Sequence, residues 1–170
     1  MKKWIAGLLV VLAVGAINVK AEAVVVNFDD LIGQTLVPNG YGGIATWTDW
    51  EYYSWSQPPY TPSSDPARVY ALTLDNSMEW SSPVDFQGAW FSGPDFTSVY
   101  FEGYLANVLQ GTSGSLAPSS TATFLAANFN NVARVRVVSA RDRDLYVMDD
   151  VTYNEGQGNG EPVIPEPATM

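Results

Sequence analysis

From residue 23 to residue 153 the chain reads as short apolar runs, each broken by a cluster of Gly, Pro, Ser, Asn or Asp. The first, Ala23-Val24-Val25-Val26-Asn27-Phe28, is β-branched and stops at Asp29-Asp30. Comparable runs occupy 69–74, 84–91, 97–105, 121–127, 133–139 and 145–153. Within 97–105, Val99, Phe101 and Leu105 fall on one face and Tyr100, Glu102 and Tyr104 on the other; within 133–139, Val135 and Val137 alternate with Arg134, Arg136 and Val138. Alternation with a period of two is the signature of a strand with one buried face. Turn-forming clusters at 38–40, 57–66, 93–95 and 111–120 separate the runs. No window of a dozen residues has the 3.6-residue period of an amphipathic helix. Six to nine strands at this spacing predict an all-β fold, a single antiparallel β-sandwich or jelly roll.

The two ends follow other rules. Residues 1–23 have a basic start (Lys2, Lys3), an apolar run from Trp4 to Ala16 and small residues suited to cleavage after Ala21 or Ala23. This is the layout of a secretory signal peptide, and it predicts an exported protein located in the outer envelope, on the cell surface or in the extracellular matrix of a bacterium. A run of about 13 residues falls short of the roughly 20 that a stable membrane span needs. The domain itself is expected at 24–153. Residues 154–162 contain nothing able to join a core and read as a flexible linker before the final segment, 163–170.

Composition narrows the chemistry. The chain has 170 residues, no His and no Cys. That excludes zinc sites built on those residues, a thiol nucleophile, disulfides and a Ser-His-Asp triad. All three lysines lie in the first 20 residues, so removing the leader takes the net charge from −10 to −13 and leaves five arginines as the only side-chain cations. Such a surface repels nucleic acid and anionic membranes. Acids and aromatics are what remain to bind anything.

The densest aromatic stretch is 47–60, Trp-Thr-Asp-Trp-Glu-Tyr-Tyr-Ser-Trp-Ser-Gln-Pro-Pro-Tyr. Sugar rings present apolar C–H faces that stack on Trp and Tyr, while nearby acids and amides bind hydroxyls. Trp50, Tyr52, Tyr53 and Trp55 are therefore candidate carbohydrate-binding residues, with burial in the core as the alternative. Trp47, Trp80, Trp90 and Phe91 are expected in the core. Two Asp pairs close the first strand (Asp29, Asp30) and interrupt the last (Asp149, Asp150). Strand parity points Asp149 inward with Val147 and Val151. If the two strands lie side by side, Asp29, Asp30 and Asp149 supply hard oxygen ligands for a structural Ca²⁺. The alternative is that Asp149 accepts hydrogen bonds from the Tyr41-Gly42-Gly43 turn while Asp29 and Asp30 cap a loop. Asp49, Glu51, Glu79, Asp85, Asp95 and Glu102 are the free carboxylates a glycosidase would draw on, and nothing selects a pair among them. Arg134, Arg136, Arg141 and Arg143, interleaved with Asp142 and Asp144, suggest a surface ion-pair ladder or a docking point for an anionic polysaccharide.

Pro165-Glu166-Pro167 near the end resembles the hallmark of the PEP-CTERM sorting signal. In that family a hydrophobic span and an arginine cluster follow, and an exosortase system handles exported proteins of exopolysaccharide-producing bacteria. Span and cluster do not follow here. The resemblance therefore implies kinship with such exported proteins and leaves exosortase-type processing without its usual signal. Asn27-Phe28-Asp29-Asp30-Leu31, Val37-Pro38-Asn39-Gly40-Tyr41-Gly42-Gly43-Ile44 before Trp47, and Tyr146-Val147-Met148-Asp149-Asp150-Val151-Thr152 resemble a group of bacterial secreted β-sandwich proteins. That group is similar in outline to carbohydrate-binding jelly rolls and MAM-type adhesion domains. The expected function is a non-enzymatic surface or matrix protein that binds carbohydrate or associates with exopolysaccharide. A structural or adhesive module without a small ligand is the second expectation, and a carboxylate glycosidase the third.

Overall fold

The computed structural model describes residues 22–141 and 146–156. Residues 1–21, residues 142–145 with Asp142, Arg143 and Asp144, and residues 157–170 with Pro165, Glu166 and Pro167 lie outside the described residues, so the expected leader falls outside them except for Glu22 and Ala23.

The described residues form ten strands: β1 (Ala23–Val26), β2 (Gln34–Leu36), β3 (Thr46–Thr48), β4 (Trp50–Tyr53), β5 (Arg68–Ala71), β6 (Ser77–Ser92), β7 (Val99–Leu105), β8 (Val108–Thr112), β9 (Thr123–Ser139) and β10 (Val147–Glu155). All pairings are antiparallel, in the order β2-β4-β5-β10-β6-β9-β7-β8, with β1 on β10 and β3 on β6. The first and last strands do lie side by side, Val25 opposite Thr152.

Two long strands fold this single sheet over itself into a sandwich-like body. In β6, Ser77, Met78 and Glu79 lie between β3 and β9, whereas residues 84–92 lie between β10 and β9. Register breaks between Glu79 and Val84, before Phe86 and before Gly88 bend the strand where it changes neighbours. β9 bends at Asn128 and Asn131, whose φ values of 52° and 56° suit Asn better than most side chains.

Rings meet in the enclosed interior. Phe86 and Phe91 of β6 close on Phe101 of β7 at 4.9 and 5.4 Å between centroids, and Trp80 meets Tyr153 at 5.3 Å. At roughly 25 cal/mol per Å² over 150–250 Å², each such ring contributes on the order of 4–6 kcal/mol of gross transfer free energy.

Several expectations change here. Trp50 and Tyr52 belong to this interior, 0% and 8% exposed, because β4 alternates and its inward positions are 50 and 52. Neither presents a stacking face to solvent. Trp90, expected inside, is instead 37% exposed on the outer face of β6. The expected linker begins too early: Asn154 and Glu155 extend β10, paired with Asp85 and Val84. Trp47, Trp80 and Phe91 are buried as expected.

Candidate functional site

The outward positions of β4 and β5 build the site. Alternation sends Glu51 and Tyr53 outward, and pairing sets Glu51 opposite Tyr70, Tyr53 opposite Arg68, and Gln34 of β2 opposite Tyr53. Segment 54–67 then folds back across this outer face. Arg68, 1% exposed, holds it: Nη2 donates to the Trp55 carbonyl at 2.5 Å and Nη1 to the Pro66 carbonyl at 3.0 Å. Its guanidinium lies 4.3 Å from the centre of the Tyr53 ring, a cation–π contact. The Ser54 hydroxyl fixes the start of the segment by accepting the Gly33 N–H at 2.9 Å.

Between segment and sheet lies a cleft of about 340 Å³ lined by Gln34, Tyr53, Trp55, Gln57, Tyr60, Tyr70, Tyr146 and Val147. Trp55 is 47% exposed, its ring 5.1 Å from that of Tyr53. Tyr53 is buried at 4% and supports Trp55 from beneath, with Tyr70 edge-on to it at 5.7 Å. Burial pushes the Tyr53 hydroxyl pKa up, opposed by Arg68. Gln34 Nε2 donates to Tyr70 Oη at 2.7 Å and to Glu51 Oε2 at 3.0 Å, and Tyr70 also donates to Glu51. The cleft thus offers a half-exposed indole, a tyrosine cage and two amides, with Glu51 holding Gln34 and Tyr70 from outside the lining. Of the four aromatics expected to bind sugar, Trp55 and Tyr53 are here and Trp50 and Tyr52 are not. Gln34, Gln57, Tyr60 and Tyr70 were not singled out. Gln57 and Tyr60 sit in the Pro-rich stretch, whereas Gln34 and Tyr70 join them only through strand pairing.

The aspartates form a second cluster. Asp149, 2% exposed, accepts the N–H groups of Ser63 and Ser64 at 2.8 Å each on Oδ2 and that of Asp150 at 2.8 Å on Oδ1. Donors therefore do surround Asp149, but they come from Ser63 and Ser64 rather than from the Tyr41-Gly42-Gly43 turn, whose Gly42 carbonyl instead accepts the Tyr153 hydroxyl at 2.8 Å. The Ser64 hydroxyl reaches Asp29, Asp149 and Asp150 at 3.3, 3.4 and 3.2 Å. Asp30 stands apart, accepting from Tyr41. Burial raises the Asp149 carboxyl to about 7 against its backbone donors, with Asp150 adding to the rise. Asp29 is raised too, by burial and by Asp150, Asp65 and Asp30, with Ser64 opposing. Among the described residues no three acids are arranged to hold a metal ion.

Of the remaining acids, Asp49 accepts from Thr73, Asp85 from the Asn131 N–H, and Glu102 from both Tyr104 and Arg136. Arg136 pairs with Asp75 and Glu102, each at 3.4 Å, and Arg134 lies over Tyr104 at 4.5 Å. These partners of Arg134 and Arg136 come from other parts of the chain, while Asp142, Arg143 and Asp144 of the expected ladder lie outside the described residues.

No protein-family model, curated protein or solved structure matches this chain.

Proposed function

We propose that this is an exported, non-enzymatic protein that binds carbohydrate in the Trp55 cleft and associates through it with exopolysaccharide or a cell-surface matrix. The observation that carries the reading is the half-exposed Trp55 indole, braced by Tyr53 and Arg68 beside the amides of Gln34 and Gln57. An indole held at this angle is ready to stack without losing rotamer freedom. The Gln57 amide offers a donor and an acceptor to sugar hydroxyls and Gln34 Oε1 a further acceptor, while the Gln34 and Tyr70 donors are held by Glu51 and by each other. Export rests on the basic, apolar and small-residue layout of residues 1–23, and the exopolysaccharide setting on the Pro-Glu-Pro resemblance.

A pyranose face stacked on Trp55 removes on the order of 60 Å² of apolar surface from water, about 1.5 kcal/mol. Trp55→Ala is therefore expected to weaken glycan binding roughly tenfold while leaving the melting midpoint unchanged. A glycan array followed by titration calorimetry of the best ligand checks this. If the wild-type protein binds no glycan, the adhesive module without a small ligand is the reading that stands.

A further inference from the structure

A second surface of the chain has the same chemistry in a different place. β1, β10, β6 and β9 run side by side, with Val25, Thr152, Gly88 and Ala126 in one cross-strand row. Trp90 and Phe124 are cross-strand partners at one end of this face, each 37% exposed, with their rings 5.7 Å apart at 61°. Gly88 makes the arrangement possible. A Cβ there would lie 2.9 Å from Phe124 Cζ and 2.1 Å from the Leu125 carbonyl oxygen, so only glycine lets the Phe124 ring settle over the strand. A groove of about 700 Å³ runs alongside, lined by Phe124, Gln87, Asn128, Thr152 and Asn154, with Glu22 on its rim.

We propose that this face is a second glycan-binding site, for an uncharged oligosaccharide segment, which makes the chain bivalent. Its polar groups are three amides and a hydroxyl, each able both to donate and to accept. Among the described residues no side-chain cation lines the groove, and its one carboxylate, Glu22, stands at the rim beside the expected cleavage points, so neither an anion nor a cation finds a full complement of side-chain charge. A second copy of this chain would bring a surface of the same sign, since the net charge is −10. β10 and β6, in the middle of the face, are hydrogen-bonded on both edges, so a peptide strand could add only beyond β1 or beyond the start of β9 and not across the groove. Four strands at about 4.8 Å spacing make the face roughly 14 Å wide, a span that suits several sugar units rather than one. The Trp55 cleft meets β10 at Val147 and this face meets it at Thr152 and Asn154. Two sites on one body let the chain bridge neighbouring polysaccharide strands.

The test is titration calorimetry and ¹⁵N chemical-shift mapping with neutral gluco-, manno- and galacto-hexasaccharides, on the wild type, Phe124→Ala, Ala126→Arg, Trp55→Ala and the Trp55→Ala/Phe124→Ala pair. Ala126→Arg blocks the face from an exposed position without removing a ring. The expected wild-type stoichiometry is two ligands per chain, with one site lost in Phe124→Ala and in Ala126→Arg, the other weakened about tenfold in Trp55→Ala, and only that weakened site left in the pair. Unchanged stoichiometry in both Phe124→Ala and Ala126→Arg overturns the second site and leaves the Trp55 reading intact. Binding abolished by Phe124→Ala but untouched by Trp55→Ala overturns the Trp55 reading instead. Absence of any wild-type binding overturns both. A wild-type dimer in sedimentation that Ala126→Arg dissociates assigns the face to self-association and overturns the proposal.

Discussion

Acid should stabilise this fold, and Asp149 should be the reason. Its carboxyl is 2% exposed, and burial lifts it from 3.8 to about 7 even though Ser63, Ser64 and Asp150 each donate a backbone N–H to it. Below pH 4 the group is protonated in both folded and unfolded chains. Between about 4 and 7 only the folded chain holds the proton, and above 7 neither does. Stability therefore falls as pH rises through that window and levels off above it. A shift of roughly three units at about 1.4 kcal/mol each sets an upper size of about 4 kcal/mol. Asp29 is raised as well and acts in the same direction. Urea denaturation followed by tryptophan fluorescence at pH 5, 6, 7 and 8, at fixed ionic strength, reads the effect as a midpoint that climbs toward acid with an unchanged slope parameter. Asp149→Asn supplies the control. Its carbonyl can still accept from Ser63 and Ser64, its amide opposes the Asp150 N–H at a cost that does not vary with pH, and the general relief of negative charge in acid is retained. A wild-type midpoint that is flat or falls toward pH 5, or a variant with the same dependence as wild type, would refute the reasoning. The series also tests the expected calcium ion: an ion held by Asp29, Asp30 and Asp149 would keep Asp149 ionised and flatten the slope in millimolar calcium.

Two further perturbations probe the parts that shape the cleft. Arg68→Ala removes both bonds that hold segment 54–67, so it should cost about 2–4 kcal/mol in urea melts and expose that segment to limited proteolysis. Arg68→Lys should not rescue it, because one ammonium cannot reproduce the planar fork that reaches both carbonyls. Phe101→Ala, which empties the meeting point of Phe86 and Phe91, should cost about 3–5 kcal/mol, and a loss below 1 kcal/mol would contradict the packing described.

Most strands were legible from alternation, and the misreadings have local causes. Thr123–Ser139 was expected as two strands because Asn128 to Asn131 looks like a turn. The chain instead takes left-handed φ at two asparagines and continues, so the turn signal marks a bend within a strand. Residues 47–53 read as one aromatic block, yet Asp49, at φ 57°, separates β3 from β4 and sends them to different neighbours. That change of direction buries both Trp47 and Trp50, which meet at 6.4 Å, and takes Trp50 away from any ligand. β8 escaped notice because it is an edge with both faces largely exposed and carries no alternation. The cleft was half legible: Trp55 and Tyr53 lie in the dense run, but Gln34 and Tyr70 are brought to it by strand register, which no local pattern encodes. Asp149 is buried, but under segment 54–67 rather than in the core as parity predicted: Val147 on the same side lines the cleft, Met148 between them takes the core, and a register break at Asp150 returns Val151 to the core. Its Ser63 and Ser64 donors, more than eighty residues away in sequence, had no local signal.

The sharing of β6 and β9 between both halves of the sandwich has a mechanical consequence. Neither half owns a complete set of strands, so neither can peel away or swing while the other stays intact. There is no hinge in such a body. Load taken up at either proposed glycan surface would pass along two continuous backbones, and the domain would yield only by unfolding as a whole.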